Sequence, residues 1–196
     1  LLRLDCFFKG EILMAKFGWL FDPKRCIACR ACEAACKQWN GVATGIDVRY
    51  RRVRTAELGE FPRVSVQYLS MACNHCETAT CVRVCPTKSI FRRQDGIVLI
   101  QQETCVGCGL CAKFCPYQAL QLNQQRQKME KCTMCSSRID AGMPPACTTV
   151  CPTGALIWGE WEKIKDQGVD RVENFASPLL TKPAIRFVAT GWKGGA

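Results

Sequence analysis

The chain has 196 residues, 17 of them cysteine and one histidine, and a formal charge of +10. Its length suits one domain or two small ones. No run approaches the roughly 18 consecutive apolar residues of a membrane span, so direct membrane insertion is not expected. The lone His75 excludes a Rieske centre or bis-histidine haem, and no Cys-x-x-Cys is followed by His, which excludes c-type haem.

In chain order, residues 1–13 read as an N-terminal extension or a mis-called start. Met14 opens a reasonable translation start, and Lys9-Gly10-Glu11 can be encoded by a purine-rich run upstream of it. Cys6 lies in this segment and receives no role. The first cysteine group is Cys26-x2-Cys29-x2-Cys32-x3-Cys36. Residues 64–69 alternate as a strand. The second group is Cys73-x2-Cys76-x4-Cys81-x3-Cys85-Pro86. Residues 89–93 and 97–101 flank Asp95-Gly96 and read as a hairpin. The third group, Cys105-x2-Cys108-x2-Cys111-x3-Cys115-Pro116, precedes a short strand at 119–122. The fourth, Cys132-x2-Cys135-x11-Cys147-x3-Cys151-Pro152, precedes another at 155–158. Residues 160–167 carry a helical pattern with Trp161 and Ile164 on one face and Gly168 as its stop. Beyond it an aperiodic tail is punctuated by Ser177-Pro178 and Lys182-Pro183. It has no evident core of its own to join and is expected to lie along a partner.

Sixteen cysteines thus form four groups of four. Disulfide frameworks belong to short secreted chains and do not suit two-residue spacings repeated this often. Zinc ribbons pair two Cys-x-x-Cys units. Three cysteines on one short loop, with a fourth four residues on, is the bacterial ferredoxin run, which wraps three thiolates around one cubane and sends the fourth to a neighbouring cluster. The expected cofactors are four [4Fe–4S] clusters. At roughly −2 per oxidised cluster they bring about −8, which balances most of the basic excess and removes the case for nucleic acid as a partner.

Exchange of the last ligand pairs inner groups with each other and outer with outer. Cys73, Cys76 and Cys81 then share a cluster with Cys115, and Cys105, Cys108 and Cys111 share one with Cys85. Likewise Cys26, Cys29 and Cys32 go with Cys151, and Cys132, Cys135 and Cys147 go with Cys36. The expected fold is α+β, small and loop-rich: two nested ferredoxin-like modules holding two clusters each. Residues 14–72 and 117–158 make the outer module, 73–116 the inserted one, and 159–196 a C-terminal helix and partner-docking tail.

From about Lys16 to Phe187 the chain resembles the four-cluster iron–sulfur subunits of the dimethyl sulfoxide reductase family of molybdopterin oxidoreductases. The resemblance rests on Asp22-Pro23-Lys24-Arg25-Cys26, Leu69-Ser70-Met71-Ala72-Cys73-Asn74-His75-Cys76, Cys105-Val106-Gly107-Cys108, Lys131-Cys132 through Cys151-Pro152, and Thr181-Lys182-Pro183. It implies a non-catalytic electron-transfer subunit. Its partners would be a large catalytic subunit carrying molybdopterin with Mo or W, and a membrane quinone-reactive subunit or a soluble electron carrier. The alternative is a free-standing polyferredoxin, against which the basic composition and the long segment after Cys151 count. Such subunits act in the cytoplasm or are exported with a partner. The chain carries no signal peptide that distinguishes the two, and Arg51-Arg52 lies too far inside it to be a twin-arginine signal.

His75, between two ligands, and Lys131, before Cys132, are expected beside a cluster, where an N–H to a cluster sulfur raises its potential. Arg49, Arg51, Arg52, Arg54, Arg92 and Arg93 read as a solvated surface or as charge screening. Trp19, Trp39, Trp158, Trp161 and Trp192 read as packing. No P-loop, flavin signature or acid–base pair stands out.

Overall fold

The computed structural model describes residues 16–45, 47–173 and 175–189. The segment 1–13 with Cys6, the start at Met14, and Trp192 lie outside them. Among the described residues, no helix is long and apolar enough to cross a membrane.

The described residues form four small sheets and six short helices. Strand β1 (Phe17–Phe21) is the centre of a three-stranded sheet, antiparallel to β8 (Leu156–Glu160) and parallel to β9 (Ile185–Phe187). Trp19, Phe21 and Phe187 are almost wholly buried there, and burying such side chains is worth about 1.5–3 kcal/mol each. Strands β2 (Arg52–Leu58) and β3 (Ser65–Met71) pair antiparallel. The hairpin β4 (Ile90–Arg92) and β5 (Val98–Ile100) turns at Asp95-Gly96, where Asp95 Oδ1 accepts from the Ile97 N–H at 3.1 Å. A further hairpin joins β6 (Gln121–Asn123) and β7 (Lys128–Glu130).

The helices are α1 (Ala31–Asn40), α2 (Thr80–Val84), α3 (Leu110–Lys113), α4 (Ser136–Asp140), α5 (Ala146–Thr149) and α6 (Trp161–Ile164). Four of them carry the third cysteine of a group: Cys32 in α1, Cys81 in α2, Cys111 in α3 and Cys147 in α5. In every group the third and fourth cysteines are four apart, so a helical turn sets them on one face about 6 Å along the axis. Helix α1 packs against α5, and α2 against α3.

Three features depart from the sequence expectations. The helix expected over 160–167 is a single turn, α6, because Glu160 is taken into β8 opposite Phe17. Strands β1, β2, β7 and β9 form where the sequence pattern gives no strand. The tail does join a core: β9 lies beside β1, and Phe187 is fully buried against Phe175, with ring centroids 4.9 Å apart. Gly168 is left-handed (φ 66°), and a Cβ there would lie 2.0 Å from the Phe187 carbonyl oxygen, so this turn against β9 needs glycine.

Candidate metal centres

All four Cys-x-x-Cys loops use one backbone device. The residue two after the first cysteine is left-handed: Ala28 (φ 53°), His75 (φ 43°), Gly107 (φ 69°) and Met134 (φ 55°). A left-handed residue there reverses the chain within the loop, at a cost that a β-carbon-bearing residue bears only under tertiary constraint. A second device follows the last cysteine of groups two, three and four. The N–H of Lys88, Gln118 and Gly154 donates to the carbonyl of Cys85, Cys115 and Cys151, closing a turn with proline at its second position. Each of these three closing residues also has positive φ. Group one has no proline, and α1 runs straight through Cys36.

These turns aim N–H groups at sulfur. Burial raises the Cys85 thiol, but the Thr87 hydroxyl and the N–H groups of Ile90, Ser89 and Thr87 bring it below its ordinary value. Cys151 is the same case, with Leu156, Thr153 and Ala155. Most other thiols are driven up by burial: Cys36 and Cys81 to about 12, and Cys111 to about 11. At neutral pH such thiols are protonated and poor nucleophiles, so the arrangement suits metal ligation, in which a cation displaces the proton.

All sixteen grouped cysteines are free of disulfides. Cys26 has Cys151 and Cys29 as electrostatic neighbours, and Cys36 has Cys147 and Cys135. Asn40 Nδ2 lies 3.8 Å from Cys36 Sγ and 3.9 Å from Cys135 Sγ, touching both. Cys76 neighbours Cys73, Cys115 and Cys81, while Cys111 neighbours Cys105, Cys108 and Cys85. One small cavity is lined by Cys26, Cys29, Cys32 and Cys151, another by Cys73, Cys76, Cys81 and Cys115. Yet among the described residues no three His, Cys, Asp or Glu side chains converge as a single ion requires. Sets of thiols that share a space without converging on one point fit a polynuclear cluster, whose irons present separate corners.

His75 is buried, and its Nδ1 accepts from the Val98 N–H at 3.0 Å, so the proton sits on Nε2. Burial first, then the nearby Lys131 and Arg51 charges, keep the ring neutral. Lys131 is equally buried and donates to the carbonyls of Val98 and Cys132 (2.9 Å to the latter). Both polar main-chain groups of Val98 are thus taken by side chains.

Two of the six arginines are not on a solvated surface, whereas Arg54 is exposed and Arg49, Arg92 and Arg93 are half-buried. Arg51 and Arg52 are 3% and 9% exposed. Arg52 donates to the carbonyls of Tyr117 and Gln118, clamping β2 to the turn after group three. Sequence reasoning also missed Asn40 and the hydroxyls of Thr87 and Thr153. For the last two a signal exists, since both stand two residues after the final cysteine of their group. Two tryptophans pack as expected, Trp19 donating to the Cys73 carbonyl at 3.3 Å and Trp158 stacking on Phe17, whereas Trp39 is exposed.

Comparison with known proteins agrees with this geometry. Residues 64–161 match the 4Fe-4S dicluster domain model, and 23–41 a 4Fe-4S binding domain model. The chain is 38% identical over 156 residues to the thiosulfate reductase electron transfer subunit PhsB of Salmonella typhi, covering 79% of this chain and 81% of that one. It is 33% identical over 183 residues to one chain of the anaerobic dimethyl sulfoxide reductase of Escherichia coli K12, covering 88% of each. It is 38% identical over 154 residues to one subunit of the tetrathionate reductase of Salmonella typhimurium, covering 77% of this chain and 59% of that one. With iron–sulfur loops, buried thiols and relatives of this kind, the protein belongs to the iron–sulfur electron-transfer subunits of the dimethyl sulfoxide reductase family of molybdopterin oxidoreductases, whose role is to carry electrons and not to turn over substrate.

Proposed function

We propose that the sixteen cysteines hold four [4Fe–4S] clusters in two nested ferredoxin-like units, and that the chain relays single electrons between a catalytic molybdenum or tungsten subunit and a membrane quinone-reactive subunit or soluble carrier. The sets are Cys26, Cys29, Cys32 and Cys151; Cys36, Cys132, Cys135 and Cys147; Cys73, Cys76, Cys81 and Cys115; and Cys85, Cys105, Cys108 and Cys111. The observation that carries this reading is the exchange of neighbours: Cys151 comes to Cys26, Cys36 to Cys135, Cys115 to Cys76 and Cys85 to Cys111. The β1–β8 pairing and the packing of α1 on α5 support an outer unit. The apolar cluster of Ala79, Ile90, Val98, Leu120 and Met129 supports an inner one reaching past group three to β7.

Each bound cluster supplies a one-electron couple whose potential depends on its charge, hydrogen bonds and exposure. The chain's own contribution is to bury the thiols, aim N–H groups at them and leave two points of access. Cys29 and Cys108 are the exposed members of their sets. Apolar side chains flank both in sequence, with Ile27 61% exposed at one and Val106 62% at the other. These two faces are where partners would meet the chain.

Two measurements test the reading. Anaerobically purified protein should contain about 16 iron and 16 acid-labile sulfide per chain; values near 12 would sink the four-cubane assignment. In redox-poised EPR, Cys85→Ser and Cys108→Ser should alter the same cluster, and Cys76→Ser a different one. Matching changes in Cys85→Ser and Cys76→Ser would instead mean that each group closes its own cluster.

A further inference from the structure

Arg51 is a buried cation without a counter-ion. It precedes β2, is 3% exposed, and has no carboxylate within 4.0 Å among the described residues. Its Nη1 donates to the Ser70 carbonyl at 3.1 Å and the Ser70 hydroxyl at 3.2 Å, and its Cζ lies 4.7 Å from the Trp19 ring centroid. Nε and Nη2 are buried with no partner. A mechanical brace between β2 and β3 would need only the first of these nitrogens. Leaving the other donors and a full positive charge unmatched in an apolar interior is strongly unfavourable unless negative charge lies beside them.

Among the described residues, such charge comes from the thiol sets. The sulfurs whose charge acts on the guanidinium are those of Cys147, Cys132, Cys32 and Cys36. Burial opposes its charge, but these sulfurs more than offset that and hold it more firmly protonated than usual. Cys32 belongs to one proposed outer set and the other three to its neighbour. Ser70 Oγ, which Arg51 holds, is itself 3.4 Å from Cys32 Sγ. Lys131 differs, because its ammonium is already engaged by two carbonyls.

We propose that Arg51 is the shared internal counter-cation of the two outer clusters, raising the reduction potential of both. A fixed positive charge favours the reduced, more negative state of each neighbour and screens the two from one another. The inference rests on the outer pairing proposed above.

The test is an EPR-monitored redox titration of the assembled complex carrying wild type, Arg51→Gln or Arg51→Lys. Arg51→Gln should lower the reduction equilibrium constant of two clusters by about tenfold or more, about 59 mV for a one-electron couple. Those two should be the clusters altered by Cys29→Ser and by Cys135→Ser, with the other two unmoved. The difference should be equal at pH 6 and pH 9, because a guanidinium does not titrate there. Arg51→Lys keeps the charge and should recover most of the loss. Outer potentials within about threefold of wild type in Arg51→Gln, or an equal shift of all four clusters, would overturn the proposal. If Arg51→Gln loads less iron, Arg51→Lys must restore it; failure of both would assign Arg51 to mechanical bracing and overturn the proposal too. The pairing is read separately: Cys36→Ser and Cys135→Ser altering different clusters would refute the pairing, whatever Arg51 does. If they alter the same cluster while Arg51→Gln moves neither potential, the pairing stands and the counter-cation falls.

Discussion

The two halves of the molecule solve one problem in different ways. Around groups two and three the scaffold is local: hairpins β4–β5 and β6–β7 and helices α2 and α3 are neighbours in sequence, and their apolar contacts close a core between Ala79 and Met129. Around groups one and four closure comes from the chain's extremes, with β1 clasped between β8 and β9. The Cys-x-x-Cys and Cys-x3-Cys spacings that all four groups share therefore do not require identical support. The region of groups two and three closes short loops at small entropic cost, whereas that of groups one and four closes a longer loop and buries Trp19, Phe21 and Phe187.

The sharpest way to break this contrast is Phe187→Ala. Removing a fully buried ring from β9 should cost about 3–5 kcal/mol. In denaturant the outer cluster signals should vanish before the inner ones; simultaneous loss would mean that the halves are not separable. The converse variant is Gly107→Ala. It places a Cβ 2.3 Å from the Gln127 carbonyl oxygen at a φ of 69°, and should cost roughly 2 kcal/mol or more. Damage should appear first in the signal altered by Cys108→Ser.

Finer tests act on the seams between the halves. Tyr117→Phe deletes the 2.7 Å hydroxyl contact with Thr181 and should cost about 1 kcal/mol by urea unfolding. The smallest effect belongs to Arg93, which bridges the buried Asp95 at 2.9 Å and the exposed Asp140 at 2.5 Å. The Arg93 hydrogen bonds hold the Asp140 carboxyl below its ordinary range. A carboxyl lowered in the folded state contributes fully above its unfolded value, about 4, and loses the contribution only as pH falls further. Asp140→Asn should therefore cost less than about 1 kcal/mol, equally at pH 8 and pH 5, and less still in concentrated salt.

Much of this was legible in the sequence because it is local. The cysteine spacings, the Asp95-Gly96 turn and the short strands after Cys115 and Cys151 depend on residues within a few positions of one another. Strand β2 was not legible: Arg52 to Leu58 carries charge at Arg52, Arg54 and Glu57, and acquires its strand character from pairing with β3. The three residues of β9 are too few for a period and exist because β1 offers an edge. Arg51 was misread for a deeper reason. Composition shows that basic residues balance cofactor charge in sum, but not which of them is buried, as Arg51 is.

The segment that returns to β1 has a consequence for the order of events during synthesis. On its way it passes the second ligand loop, where the N–H groups of Glu77 and Thr78 donate to the carbonyls of Lys182 and Thr181, and the Ala184 N–H donates to the Asn74 carbonyl. A ribosome delivers these partners after all sixteen grouped cysteines. Before they arrive, the amides of Glu77 and Thr78 lack these acceptors. The returning segment therefore acts as a latch over the loop around Cys76, and it can close only when the four cysteine groups are already outside the exit tunnel. The slowing of hydrogen exchange at those two amides marks the moment of closure.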